Sequence, residues 1–128
     1  MTIPEALQRR SEYLLDELMR RLPGLSAAVL ASSDGFEVAA RARDEAEVAK
    51  LAAMSCSISA LGAMAGIESG IGRCQSVTIE ADEGYIVIIE VPHASFPMIM
   101  NLVAPTSEIL GQVLYHAKRA AADLALAN

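Results

Sequence analysis

A chain of 128 residues, 53% hydrophobic but only 4% aromatic and without tryptophan, is the size of one domain around one core, residues 1–128. A net charge of −6 argues against nucleic acid, which requires a basic stripe, and against anionic lipid surfaces. So apolar a composition calls for elements buried on more than one face, and hence for an interface beyond the monomer core.

The stretch up to Gly24 reads as an amphipathic helix. Thr2 and Glu5 have capping-box spacing, and Pro4 falls early, where its missing N–H costs little. Leu7, Leu14, Leu15, Leu18 and Leu22 share one stripe, with Arg9, Arg10, Glu12 and Glu17 off it. Acids and bases are mixed and no continuous apolar segment appears, so this is not a secretory leader. Pro23-Gly24 ends the helix. Leu25 to Ser32 then reads as a strand, and Asp34-Gly35 predicts a two-residue type I′ hairpin. On the return strand, Phe36, Val38 and Ala40 are expected inward and Glu37, Ala39 and Arg41 outward. The turn accounts for Asp34 without a catalytic or metal role.

A long second helix is predicted from Asp44, as N-cap, to about Ser69, with Glu45 and Glu47 in its first turn. It carries two stripes. Leu51, Met54, Ile58, Leu61 and Ala65 are mostly bulky; Val48, Ala52, Ser55, Ser59, Gly62 and Gly66 are small. One buried face does not need both. Glycine inside a helix costs about 1 kcal/mol relative to alanine, so two in register imply a close neighbour. Which stripe faces the sheet and which a twin is open at this stage. The uncharged run Leu51 to Ile67 is short for a membrane span and is built from Ala, Ser and Gly, so no membrane insertion is expected.

Three strands follow. Arg73 to Ala81 alternates in part, as an edge or half-covered strand does; Asp82 to Gly84 turns. Tyr85 to Val91 and Phe96 to Ala104 are nearly all apolar and should be covered on both faces, with Pro97 tolerable only near a strand start. Thr106 or Ser107 is expected to cap a last helix with Ile109, Leu110, Val113, Leu114, Ala117, Ala121 and Leu124 on its apolar stripe. The order αββαβββα gives one sheet covered by helices on both faces.

The glycines from Gly62 to Gly72 are not a nucleotide loop. No GxxxxGK[ST] string exists, and Gly70-Ile71-Gly72 follows a helix and precedes a strand, the reverse of the dinucleotide-binding context. It reads as a helix stop. Nucleophile-elbow, zinc and calcium motifs are missing as well. Cys56 and Cys74, without CxxC or Cys/His spacing, read as buried, reduced thiols of a cytoplasmic protein. His93 and His116 stand apart from them and carry no ligand or catalytic reading. No enzyme, cofactor or metal site is expected.

The ordered series resembles the Roadblock (dynein light-chain) family: Pro23-Gly24 before the first strand, the Asp34-Gly35-Phe36 hairpin, the Ala-rich helix, the Gly70-Ile71-Gly72 break, the turn from Glu80 to Gly84-Tyr85, and Gly111 early in the last helix. The likeness runs from about Leu22 to Leu124. It implies an α+β sandwich of the Roadblock/longin type, profilin-like: a five-stranded, mostly antiparallel sheet with one long helix on one face and the two terminal helices on the other. It also implies a homodimer in which the strand after the long helix pairs with its twin and the long helices lie side by side. The interface residues expected on that basis are Val48, Ala52, Ser55, Ser59, Gly62 and Gly66 on the helix, and Arg73, Gln75, Val77 and Ile79 on the strand. The exposed platform would engage a Ras-like small GTPase, in some systems linked to a sensor kinase, with Glu45, Glu47, Lys50 and Glu68 as its few charges. The alternative is a small-ligand sensor, with a pocket left beside the sheet by Ala- and Gly-rich packing.

Overall fold

The computed structural model describes residues 2–43 and 47–128. Three helices and five strands follow in the order α1 (Glu5–Arg21), β1 (Ala27–Ser32), β2 (Glu37–Ala42), α2 (Val48–Glu68), β3 (Ser76–Ala81), β4 (Gly84–Val91), β5 (Met98–Pro105) and α3 (Leu110–Ala125). The strands form one sheet in the order β2-β1-β5-β4-β3, every neighbouring pair antiparallel. α1 and α3 cover one face and α2 the other. This is the α+β sandwich expected from the sequence.

Pleating divides the side chains of each strand between the two layers. From β5, Met98, Met100, Leu102 and Ala104 join Leu7, Leu15, Leu18, Val113, Ala117 and Leu124 of α1 and α3 in the main core. Asn101, between them in sequence and paired with Val29 and Ile88 in neighbouring strands, points instead to the α2 side. It is fully buried, and its amide nitrogen and oxygen have no hydrogen-bond partner among the described residues.

Both expected side-chain caps on the outer helices are absent. α1 begins at Glu5 behind Pro4, with no side-chain cap, because Thr2 lies two residues ahead of the cap position. α3 begins at Leu110, with Ile109 at the cap position, so Thr106 and Ser107 are left in the preceding turn. Tertiary bonds fix that segment: Gly24 N–H donates to the Glu108 carboxylate at 2.7 Å, and the Tyr85 hydroxyl donates to Glu108 O at 2.7 Å. Burial, reinforced by the Glu108 charge, pushes the Tyr85 phenol above its ordinary pKa. The expected cap Asp44 lies outside the described residues, as does Glu45.

The first hairpin also departs from expectation. Asp34 keeps a negative φ and only Gly35 is left-handed, at φ 90°. Gly35 N–H donates to Ser32 O at 2.9 Å and Ser32 N–H to Phe36 O at 2.8 Å. The loop is therefore Ser33-Asp34-Gly35, a three-residue connection with glycine in its left-handed position. One step on, the register slips so that Val38 bulges between Glu37, opposite Ala31, and Ala39, opposite Leu30. The bulge overturns the predicted alternation: Val38 and Ala39 both meet the main core, Ala40 turns to α2, and Phe36 is 73% exposed.

Candidate functional site

α2 lies across the second face of the sheet, and its small stripe is the side that touches. Val48 and Ala52 pack on Val29 and Ala31. Ser55 is buried, its hydroxyl donating to Ala52 O at 3.0 Å, and Ser59 is half-buried further along the same stripe. A Cβ added to Gly62 would stand 3.0 Å from both Cys74 Sγ and Val77 Cγ2, and one on Gly66 would collide with Gly72 O. The glycines thus let the helix approach β3 and its lead-in within one protomer. That corrects the assignment of Val48, Ala52, Ser55, Ser59, Gly62 and Gly66 to a face between twins: their space is filled by the protomer's own sheet.

The bulky stripe consequently points outward. Leu51 and Ile58 are half-buried, but Met54 is 53% exposed and Leu61 65%; Met64, Ile67 and Ile71 beside them are 62%, 69% and 83% exposed. The helix stops as expected, in a Schellman turn: Gly70 is left-handed, Gly70 N–H bonds Ile67 O at 3.0 Å and Ile71 N–H bonds Gly66 O at 3.1 Å. α2 is long and apolar enough to cross a membrane by length and composition; here its small stripe is laid on the sheet.

Next to the ridge runs β3, the outer strand at this end of the sheet. Its pairing with β4 is unbroken from Ser76–Ile89 to Ala81–Gly84. Arg73, just ahead of it, is held to Glu90 by hydrogen bonds of 3.1 and 3.0 Å. Gln75 is exposed; Val77, under Gly62, and Ile79 are half-buried. The structure therefore gathers the four predicted strand residues at one edge, beside a ridge formed by a different stripe of α2 than the one chosen. The bulky residues were visible in the sequence; small residues at helix spacing were a sign of close packing, and that packing is internal.

Neither cysteine is fully buried, contrary to expectation. Cys56 Sγ lies 2.7 Å from Ser33 O, and Cys74 Sγ 3.5 Å from Ser76 O. The structural role of His93 had no sign in the sequence. It is buried, takes the Phe96 and Ser95 N–H groups on Nδ1 at 3.0 and 3.2 Å, and so donates from Nε2 to Ala127 O at 2.7 Å, tying the end of α3 to the β4–β5 loop.

The Roadblock/LC7 domain family model matches residues 12–96. The chain belongs to the Roadblock/LC7 family. No curated protein sequence matches it. Among solved structures, "MglB with tetrameric arrangement" is 25% identical, superposes with a TM-score of 0.85, and covers 98% of this chain and 92% of its own. The gliding protein MglB from Thermus thermophilus is 23% identical at a TM-score of 0.85, covering 98% and 93%. A Roadblock/LC7 domain from Streptomyces avermitilis is 21% identical at 0.78, covering 88% and 92%. These Roadblock/LC7 likenesses extend over both the α2 ridge and β3. Among the described residues, five clefts of about 320 to 540 Å3 are open surface grooves; a small-ligand sensor calls for a more enclosed chamber.

Proposed function

We propose that this protein is a non-enzymatic regulatory module: a cytoplasmic homodimer that binds a Ras-like small GTPase and modulates its nucleotide cycle or couples it to a sensor kinase. The observation that carries the reading is the exposed apolar ridge Met54, Leu61, Met64, Ile67 and Ile71 beside the outer edge of β3. An uncovered apolar helix is unfavourable in water and an open strand edge is a template for pairing, and one two-fold contact would use both. The dimer would pair β3 with its twin over Gln75, Val77 and Ile79, with Arg73 at the margin, and bring the C-terminal halves of two α2 helices together. Similarity to MglB in a tetrameric arrangement supports self-association; the GTPase rests on the family resemblance.

Two measurements test this. Light scattering should give a dimer for the native chain and a monomer of unchanged helical content for Leu61→Asp with Ile67→Asp; a dimer surviving both changes removes this ridge from the interface. The Ras-like GTPases of the same genome, in both nucleotide states, are then passed over the immobilised protein. Retention in one state, or an altered hydrolysis rate, is the expected result. If none is retained and none changes its rate, the regulatory reading falls.

A further inference from the structure

At the opposite edge of the sheet a cleft of about 320 Å3 lies between the start of α1, the β1–β2 hairpin and the start of β5. Its apolar lining comes from Ile3, Val38, Phe96, Pro97 and Met98, with Phe36 at the mouth. The chain has two phenylalanines, and both line this one cleft. Each is fixed by its backbone. Phe36 N–H donates to Ser32 Oγ at 3.2 Å and its carbonyl accepts Ser32 N–H at 2.8 Å; Phe96 N–H is bound to His93 Nδ1 at 3.0 Å. Phe36 is thus held 73% exposed by the three-residue hairpin loop. An aromatic whose backbone is already ordered in a short loop binds with little backbone ordering cost.

The charged groups of the lining are Asp34 and Glu37. Neither forms an ion pair among the described residues, a state they share with Asp82 and Glu83 of the β3–β4 turn; what sets them apart is their place beside the apolar lining. Strand addition is disfavoured on this side: the Val38 carbonyl accepts Gln8 Nε2 at 2.8 Å and the Ala40 carbonyl accepts Arg41 Nη1 at 2.9 Å. Recognition here has to run through side chains. Two unpaired carboxylates beside two aromatic rings select a cation with an apolar neighbour, through charge pairing and cation–π attraction. We propose that this cleft docks a basic segment of a partner protein: an apolar side chain enters between Phe36 and Phe96, and a lysine or arginine beside it meets Asp34 and Glu37. The site is remote from β3, so it stands or falls separately from the GTPase reading.

The probe is a fluorescein-labelled, end-capped peptide with phenylalanine between lysines, followed by anisotropy and by amide chemical shifts of the full chain. Saturable shifts are expected at residues 32–38 and 96–98. Affinity should fall about tenfold in Phe36→Ala and again in Glu37→Lys. Both residues are exposed, so the fold is retained, and Asp34→Lys serves as a second charge variant. Asp82→Lys with Glu83→Lys, twice the charge change of either single variant but placed at the β3–β4 turn, should leave binding unaltered, and a peptide with glutamates for lysines should not bind. No saturable binding, shifts centred on α2, or equal loss in the Asp82/Glu83 variant would each overturn the proposal, the last by reducing it to the attraction of a net −6 chain for any cation.

Discussion

The two faces of the sheet are finished to different degrees. Towards α1 and α3 the sheet is sealed by large side chains from both layers, and Leu7, Leu15, Leu102 and Leu124 are wholly withdrawn from water. Towards α2 the sealed cluster is Val29, Ala31, Val48 and Ala52, while the large residues of the helix point away. The first face stabilises the protomer. The second holds a helix in place by close approach and leaves its bulky side chains exposed. A hydrophobic residue on this chain is thus not equivalent to another: its worth to the fold depends on which layer it serves.

The sharpest break in the comparison is Leu15→Ala against Leu61→Ala. Truncation at the sealed face should cost about 2–5 kcal/mol in urea unfolding. The same change at the 65%-exposed Leu61 should leave protomer stability within about 0.5 kcal/mol. Equal losses would mean that the ridge is part of the fold. Gly66→Leu comes next: with Gly72 O in the way, it should lift the end of α2 and destabilise the protomer by about 1–3 kcal/mol. A silent substitution would show that the helix does not rest on the β3 lead-in. Asn101→Leu works in the opposite direction. Replacing a buried amide without partners among the described residues by an apolar group of similar shape should raise stability by about 1–3 kcal/mol, and a loss would reveal a partner for that amide. The smallest effect is at Tyr85. Its raised pKa means the fold favours the neutral phenol, so its contribution is complete below the ordinary value of 10.0 and is lost as pH rises through the higher folded value. Tyr85→Phe should cost about 1 kcal/mol at neutral pH and flatten that alkaline decline in pH-dependent unfolding.

Element order, strand identity and the two-sided sheet were legible because they rest on periodicity. The leucines of α1 recur at helix spacing, and β4 and β5 are apolar on both sides because both sides are covered. What periodicity could not reach was set by contacts distant in sequence. The start of α3 is fixed by Gly24 and Tyr85, both far upstream. The β2 alternation fails at one bulged residue whose carbonyl is taken by Gln8 of α1. The candidate interface was half legible. The edge strand was named from its partial alternation, but the two stripes of α2 differ in size and not in polarity, and size alone does not say whether a neighbour is the same chain or another.

The two borders of the sheet carry one further consequence. At β2 the strand is bulged and its outward carbonyls at Val38 and Ala40 are occupied by Gln8 and Arg41; at β3 the register is straight. A sheet with two open borders can grow copy upon copy into a filament. One with a single open border can add one copy, after which no growing end remains. In that sense Gln8 and the Val38 bulge form a stopping rule for strand pairing: if copies joined at β3, they would oppose its extension at the far border.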